Sequence, residues 1–220
     1  MQTIIVGAGG HGRVALDILQ AGSKYEPAGF LDADPSLSGR RVGGLPVLGS
    51  VNLLCKLRQQ RITHGFIAIG DNRVRRQYAA LLREHGLTLI NAVHPSACVS
   101  KSATLGENIL LAAGAIVCAE AKLADSVIIN TGAIVEHECE IEEAAHICTG
   151  AHLAGRVRVG RGAFIGIGAN IIQCLSIGEQ AVIGAGAVVI RDVPAYATAV
   201  GVPASVIKTS APAEHRLAGA

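Results

Sequence analysis

The chain has 220 residues, room for one large domain or two small ones, and a formal net charge of +2 with no long basic run, so its electrostatics give no reason to expect a nucleic-acid partner. Half of the residues are hydrophobic, yet aromatics make up only 3% and tryptophan is absent, which excludes an aromatic-filled core and points to thin, regular packing layers. Mean hydropathy is +0.43, but there is no apolar run of about 18 uncharged residues and no basic region ahead of one, so neither a membrane span nor a leader is expected and the protein reads as soluble and cytoplasmic.

The first predicted elements begin straight after Met1. "TIIV", Thr3 to Val6, reads as a short strand. Gly7, Gly9 and Gly12 follow in G-x-G-x-x-G spacing, and a helical pattern then runs through Val14, Leu16, Ile18 and Leu19. "AGFLDAD" reads as a second strand ending in Asp32 and Asp34. "HGFIAIGDN" reads as a third, whose Gly70-Asp71-Asn72 turn opens a helix carrying Arg73, Arg75 and Arg76. Strand, glycine loop, helix and acid-ended strand make a small Rossmann-like α/β unit over residues 1–92.

Such a loop lets backbone N–H groups at a helix N-terminus meet phosphate, and a strand-end acid can accept from a ribose hydroxyl. Three readings of it stand side by side. A full dinucleotide site needs more than this single mononucleotide-sized half. A nucleotide-linked substrate fits the size, and a purely structural glycine turn needs no ligand at all.

From Val99 onward the pattern changes. Stepping by six gives Val99, Leu105, Leu111, Val117, Leu123, Ile129, Val135, Ile141, Ile147, Leu153, Val159, Ile165, Ile171, Ile177, Ile183 and Val189, all aliphatic. The position two before each, from Ala97 and Ala103 to Ala181 and Ala187, is always Ala, Val, Ile, Leu or Cys. A period of six is the hexapeptide signature of a parallel β-helix, with three hexads closing one triangular coil. The six cysteines (Cys55, Cys98, Cys118, Cys139, Cys148 and Cys174) form no C-x-x-C pair and mostly occupy Ala or Val positions, so they are expected to be reduced small hydrophobes.

Within this frame "AIVEHECEI" can be placed. Val135 and Ile141 point inward and Cys139 is a small-register residue, so Glu136, His137 and Glu138 fall at a turn and point out. Gly155 lies 18 residues beyond His137. The two are therefore rung neighbours, about 4.8 Å apart. His146 and His152, each just before an interior residue, are expected to face outward.

Together "IVGAGGHGRVALDIL", "FLDAD", "AIGDN", "INAVHPSA", "INTGAIVEHECEI", "AHICTGAHLAG" and "GVPASVIK" resemble the bacterial sugar acetyltransferases of the sialic-acid O-acetyltransferase type. Their N-acetyltransferase branch acts on nucleotide-linked 4-amino-4,6-dideoxy sugars. The likeness runs from about residue 2 to 208, and its paired features, G-x-G-G-H-G and N-T-x-x-x-x-E/D-H-E/D, are specific.

The resemblance implies a left-handed β-helix and a homotrimer. After the Rossmann-like domain the β-helix is expected over 93–208 with a C-terminal cap, and a mobile tail over 209–220. Acetyl-coenzyme A (acetyl-CoA) would lie between neighbouring β-helices and the nucleotide sugar on the N-terminal domain, with no metal. By the same resemblance His137 is the general base and Glu138 raises its basicity. His146 contacts the acetyl donor, Gly155 gives a backbone N–H to the thioester oxygen, and Asn130 lies near the active site. Ile167, Gly184, Ala185 and Gly186 follow the coenzyme's arm, while Gly9, Gly10, His11, Asp32 and Gly70 contact the sugar nucleotide. Ala33 departs from the family's pattern, where some members carry a second acid, and leaves the nucleobase open.

Acyl transfer from a thioester to an amine asks for alignment, proton removal and oxyanion stabilisation. An imidazole suits the proton step because it titrates near neutral pH. The expected reaction is N-acetylation of a nucleotide-linked amino sugar, with UDP-4-amino-4,6-dideoxy-N-acetylglucosamine favoured and a GDP-linked sugar open. Sialic acid O-acetylation is the alternative within the class. Two other classes remain: a γ-carbonic-anhydrase-like metal enzyme using outward histidines, and a non-catalytic nucleotide-sugar-binding protein.

Overall fold

Alternating β-branched strands and glycine turns give the N-terminal residues of the computed structural model, which describes residues 1–210, a mostly parallel sheet with helices on both sides. In chain order the elements are β1 Gln2–Val6, α1 Gly10–Gly22, β2 Glu26–Leu31, β3 Arg41–Val42, β4 Leu45–Gly49, α2 Leu54–Gln59, β5 His64–Ile67, α3 Asn72–Glu84 and β6 Thr88–Leu89. The sheet order is β3-β4-β2-β1-β5-β6, parallel except for the β3–β4 hairpin. Both faces are covered. Ile5, Leu16, Leu19, Phe30 and Phe66 pack on one, and Ile4, Leu31, Leu54, Ile67 and Leu82 on the other.

The strands expected at "TIIV", "AGFLDAD" and "HGFIAIGDN" are β1, β2 and β5, and the two expected helices are α1 and α3. Gly12 is sterically required, because a Cβ there would overlap the carbonyl oxygen of Gly7. The Asp71 carboxylate accepts from the Val74 N–H at 2.8 Å and caps α3, an arrangement worth about 1 kcal/mol.

From Ala92 to Val189 the chain winds through two-residue strands, one per hexad. Strands 18 residues apart pair in parallel: Leu110 with Ile128, Ile116 with Ile134, Lys122 with Glu140. Three parallel sheets result, the faces of a triangular prism, and the coil is a left-handed β-helix. Face one begins with Ala92–Val93, face two with Cys98–Val99 and face three with Thr104–Leu105.

A second residue register explains the corners. Asn108, Gly114, Glu120, Ser126, Gly132, Glu138, Ala144, Gly150, Arg156, Gly162, Gly168, Cys174, Gln180 and Gly186 all have φ between 52° and 70°. Glycine adopts this left-handed backbone freely, whereas other residues carry a cost of roughly 1–2 kcal/mol each. The interior is as the hexads require. The aliphatic positions from Leu111 to Val189 are buried beside the small ones, and only those of the open first coil are partly exposed.

Face one differs from the other two because outward Leu110, Ala112 and Ile128 are buried as well, under Ala8, Ala15 and Leu19 of the N-terminal domain. The doubled apolar pairs in "NILLA" and "SVIIN" therefore serve two cores. Polar groups close the junction. Asn108 Oδ1 accepts from the Ile67 N–H at 2.8 Å, and Asn72 Nδ2 donates to the Gly162 carbonyl at 2.9 Å.

At the far end Ala197–Gly201 joins face one beside Val182–Ile183, and Ala204–Thr209 folds back antiparallel to it, so "GVPASVIK" closes the coil. Thr209, placed in the expected tail, is in this last strand. Residues 211–220 lie outside the described residues.

Candidate functional site

His137 and Glu138 occupy the corner between faces two and three. The imidazole Nδ1 bonds Glu138 Oε2 at 2.9 Å, and the side chain is 51% exposed. The left-handed φ of 58° at Glu138 turns its carboxylate back onto its neighbour's ring. One rung on, Gly155 lies under the imidazole. A Cβ added there would stand 2.5 Å from His137 Cε1 and overlap Nε2, so only glycine leaves the ring in place. Gly155 is buried at a corner where φ is not positive, so close approach, not backbone conformation, requires it. The bond at Nδ1 leaves Nε2 as the free nitrogen, directed along the edge over Gly155.

The residues matched to the coenzyme arm sit on a different edge, between faces one and two. Thr131, Thr149, Ile167 and Ala185 recur there at successive rungs, with Asn130 just before the first, and the Gly186 N–H bonds the Ile167 carbonyl at 2.8 Å. Ile167 is 61% exposed, a large apolar side chain in open solvent. Gly184 has a packing reason of its own, since a Cβ there would approach Val200 Cγ1 of the cap to 2.7 Å. The two edges are separated by the full width of face two.

The N-terminal glycine loop opens a third locus, a cleft of about 390 Å³ lined by Gly9, Gly10, His11, Asp32, Gly70 and Tyr78, among others. Added Cβ atoms at Gly9, Gly10 and Gly70 would touch nothing within 4 Å. Glycine there keeps backbone accessible to whatever enters. Asp32 braces the loop: Oδ2 accepts from the Ala8 N–H at 2.7 Å and Oδ1 from the Asp34 N–H at 2.9 Å. Each oxygen keeps a lone pair for a ligand.

His146 lies behind this locus, next to His11, and not at the edge of His137. It points out of the prism from face one as its register requires, yet it is 7% exposed because the N-terminal domain covers it. Its ring meets Phe164 edge-on at 5.2 Å and lies 6.1 Å from the ring of His11. Asn130 Oδ1 accepts from the Thr131 N–H at 2.8 Å, which turns Nδ2 toward His146 Nε2 at 3.4 Å. The network thus assigns the lone pair to Nε2 and the proton to Nδ1. Burial pushes the His146 pKa down to about 3, helped by the nearby Arg75 and then by His11. Burial, then Arg75, pushes His11 down to about 4. Both rings are therefore neutral at physiological pH.

Cys139, two residues from His137, and Cys148, on the edge that carries Asn130, behave as apolar filler. Cys139 and Cys148 are buried, and burial pushes their thiols up to about 11 and about 12, so little thiolate forms at neutral pH. His152 is exposed on face two while His146 is sealed on face one with Nε2 facing Asn130, so the two do not converge within the chain. No group of three His, Cys, Asp or Glu suited to a metal occurs among the described residues.

Sequence reading missed Arg75, Tyr78 and Phe164. Tyr78 recurs one helical turn after Val74, and both line the cleft from α3, a signal the i, i+4 spacing carried.

A hexapeptide β-helix with a histidine–carboxylate pair at one corner, joined to a glycine-loop domain, has the build of an acyltransferase that reads a phosphate-bearing acceptor. Comparison with known proteins agrees. Residues 2–82 match the family described as the PglD N-terminal domain. PerB from Caulobacter crescentus, solved in complex with CoA and GDP-perosamine, is 42% identical, with 94% of this chain and 98% of that one covered at a TM-score of 0.90. The acetyltransferase domain of PglB from Neisseria gonorrhoeae, solved with acetyl-CoA, is 37% identical over 94% of this chain and 98% of that one, at a TM-score of 0.88. UDP-N-acetylbacillosamine N-acetyltransferase from Bacillus subtilis is 39% identical over 110 residues, half of this chain and half the length of that relative. The chain belongs to the bacterial acetyl-CoA-dependent sugar acetyltransferases that join a PglD-type N-terminal domain to a left-handed β-helix, the family its motifs resemble.

Proposed function

We propose that the protein transfers an acetyl group from acetyl-CoA to the amine of a nucleotide-linked 4-amino-4,6-dideoxy sugar, directly and with His137 as general base. The observation that carries this is the His137 ring held between Glu138 at Nδ1 and Gly155 beneath Nε2. Nε2 takes a proton from the sugar amine as it attacks the thioester carbonyl. The Glu138 carboxylate favours the imidazolium that forms, and the Gly155 N–H is the proposed donor to the carbonyl oxygen as it gains charge. The tetrahedral intermediate then expels the thiolate of CoA, which takes up the proton. The raised thiol pKa values of Cys139 and Cys148 argue against an acetyl-cysteine route.

The division of loci between two edges supports a trimer with shared sites. His137 and Gly155 stand at one edge, and the coenzyme-arm residues with the sugar-nucleotide cleft stand at or beside the other. Packing face two of one copy beside that of the next would bring unlike edges together. Exposed Ile172 and Ile190 at the edge bordering face two suit such packing. Each site would then take its base from one subunit and its coenzyme cleft from another.

The resemblance of the sequence points to UDP-4-amino-4,6-dideoxy-N-acetylglucosamine as acceptor. A GDP-linked 4-amino sugar is the second reading, favoured by the full-length likeness to the GDP-perosamine-bound structure. Consumption of acetyl-CoA measured across UDP- and GDP-linked 4-amino sugars, their hydroxyl analogues and free sialic acid is the test. Turnover confined to nucleotide-linked amines is expected. Equal rates with nucleotide-free sugars, or turnover of hydroxyl acceptors alone, would reject the proposal.

A further inference from the structure

Among the described residues Arg75 is the largest fully buried side chain, at 0% exposure, and no carboxylate hydrogen-bonds it. Burying an unpaired guanidinium is costly unless every donor is met. Here all of them point at oxygens from both domains. Nε donates to the Ser126 carbonyl at 2.8 Å and Nη2 to the Ala144 carbonyl at 2.7 Å, both on the β-helix corner between faces three and one. Nη1 donates to the carbonyls of Ile69 and Gly70 at 2.9 and 3.1 Å, and Nη2 also reaches Asn72 Oδ1 at 2.8 Å, all on the turn that walls the sugar-nucleotide cleft. Asn72 in turn donates to Gly162 and Ala163. One rigid fork thus ties the turn after β5 to two coils of the prism.

Beside this fork stand two imidazoles, His11 on the cleft wall and His146 packed behind it. His11 Nε2 and His146 Nδ1 are buried and lack a partner of full hydrogen-bond geometry among the described residues. The Gly70 carbonyl, already held by Arg75, lies close to His146 and favours a proton on it. We propose that Arg75 is a positioning residue for the transfer, fixing the Gly70 turn against the β-helix so that this wall of the cleft, with the His11–His146 pair sealed beside it, is already in place when the sugar nucleotide enters. This inference rests on the acetyl-transfer reading above for its substrate but not for its electrostatics. The groups that bear on the pair are Arg75 and the two rings themselves, and Asp71 is the acid that acts on Arg75.

The sign follows from the charge. Removing a cation beside a neutral imidazole makes protonation easier, so each ring's pKa rises from its depressed value toward the ordinary 6.5. Full-length wild type, Arg75→Lys and Arg75→Met are compared by imidazole NMR titration and by steady-state kinetics. In wild type and Arg75→Lys neither ring should titrate above about pH 5, because both keep the charge. In Arg75→Met the His146 titration should move up yet stay below the ordinary 6.5, because burial, the larger cause of its depression, remains.

KM for the nucleotide sugar should rise about tenfold in Arg75→Met and several-fold in Arg75→Lys, with KM for acetyl-CoA held within about twofold. Titration of either ring above about pH 6 in wild type, or a sugar KM unchanged in Arg75→Lys, overturns the inference even if Arg75→Met does not fold. Absence of turnover with every nucleotide-linked amine would count against the proposed activity alone, since the titration needs no substrate.

Discussion

His137 and His146 lie nine residues apart on one repeating scaffold, and the scaffold treats them oppositely. His137 is half exposed at a corner, bonded to a carboxylate, with glycine as its floor. His146 is sealed beneath the N-terminal domain, near a buried cation and a second imidazole, and kept neutral. The difference teaches that residue type alone does not set a histidine's task. The ring proposed to accept a proton has a carboxylate at its Nδ1, whereas the sealed ring sits where burial excludes charge.

The largest effect expected from breaking this contrast is at His137. Replacing His137 with Ala should lower kcat by about 10²–10⁴-fold, the usual share of a general base, with KM little changed. Its melting temperature should match wild type because the side chain carries little packing. Gly155→Ala comes next. The new methyl group must push the imidazole aside, and such a displacement costs about 10²-fold in kcat. Steady-state kinetics beside a thermal melt separates this from unfolding, and a kcat within a few-fold of wild type would mean that the ring does not work from its present position.

Glu138→Gln keeps a hydrogen-bonding partner near Nδ1 but removes the charge. A charged bond exceeds a neutral one by about 1 kcal/mol, so kcat should fall by roughly five- to tenfold. Smaller still, Cys139→Ala with Cys148→Ala should leave kcat within about threefold while costing about 1 kcal/mol of stability each, typical of buried truncations. Loss of turnover there with His137→Ala still active would replace the general-base account with a cysteine route.

The neutral pair also has a consequence for stability. Unfolded, each imidazole binds a proton below about 6.5. Folded, His11 and His146 do so only near 4 and 3. The unfolded state therefore binds more protons between these limits, and stability falls as pH drops through that window. At pH 5 the cost is about 2 kcal/mol for each ring, which denaturation midpoints at pH 7 and pH 5 would read, and His146→Phe should remove its share.

Much of the β-helix was legible because each hexad repeats the same geometry. Period six located Ile141 inside and His137 outside, and 18-residue stacking brought Gly155 beneath the ring. The burial of His146 was not legible, since the period says that a side chain leaves the prism but not what lies against it. Only the doubled apolar pairs Leu110–Leu111 and Ile128–Ile129 hinted at a covered face. Arg75 read as one of several helix arginines, and its partners are mostly backbone carbonyls, which no side-chain pattern encodes. Strands β3 and β4 and helix α2 were hidden in a stretch broken by Gly43, Gly44 and Pro46, which reads as loop.

The claim that one edge supplies the base and the other the coenzyme cleft, in different subunits, has a direct measurement. His137→Ala disables the first edge, and Ala185→Glu, at an exposed position beside Ile167, is designed to block the second. Each variant alone should be nearly inactive. Mixed one to one as unfolded chains and refolded together, they should recover about a quarter of the wild-type sites, the statistical share in which an intact base faces an intact cleft across a cyclic interface. Activity no greater than that of the separate variants would place the whole site within one chain and contradict the account.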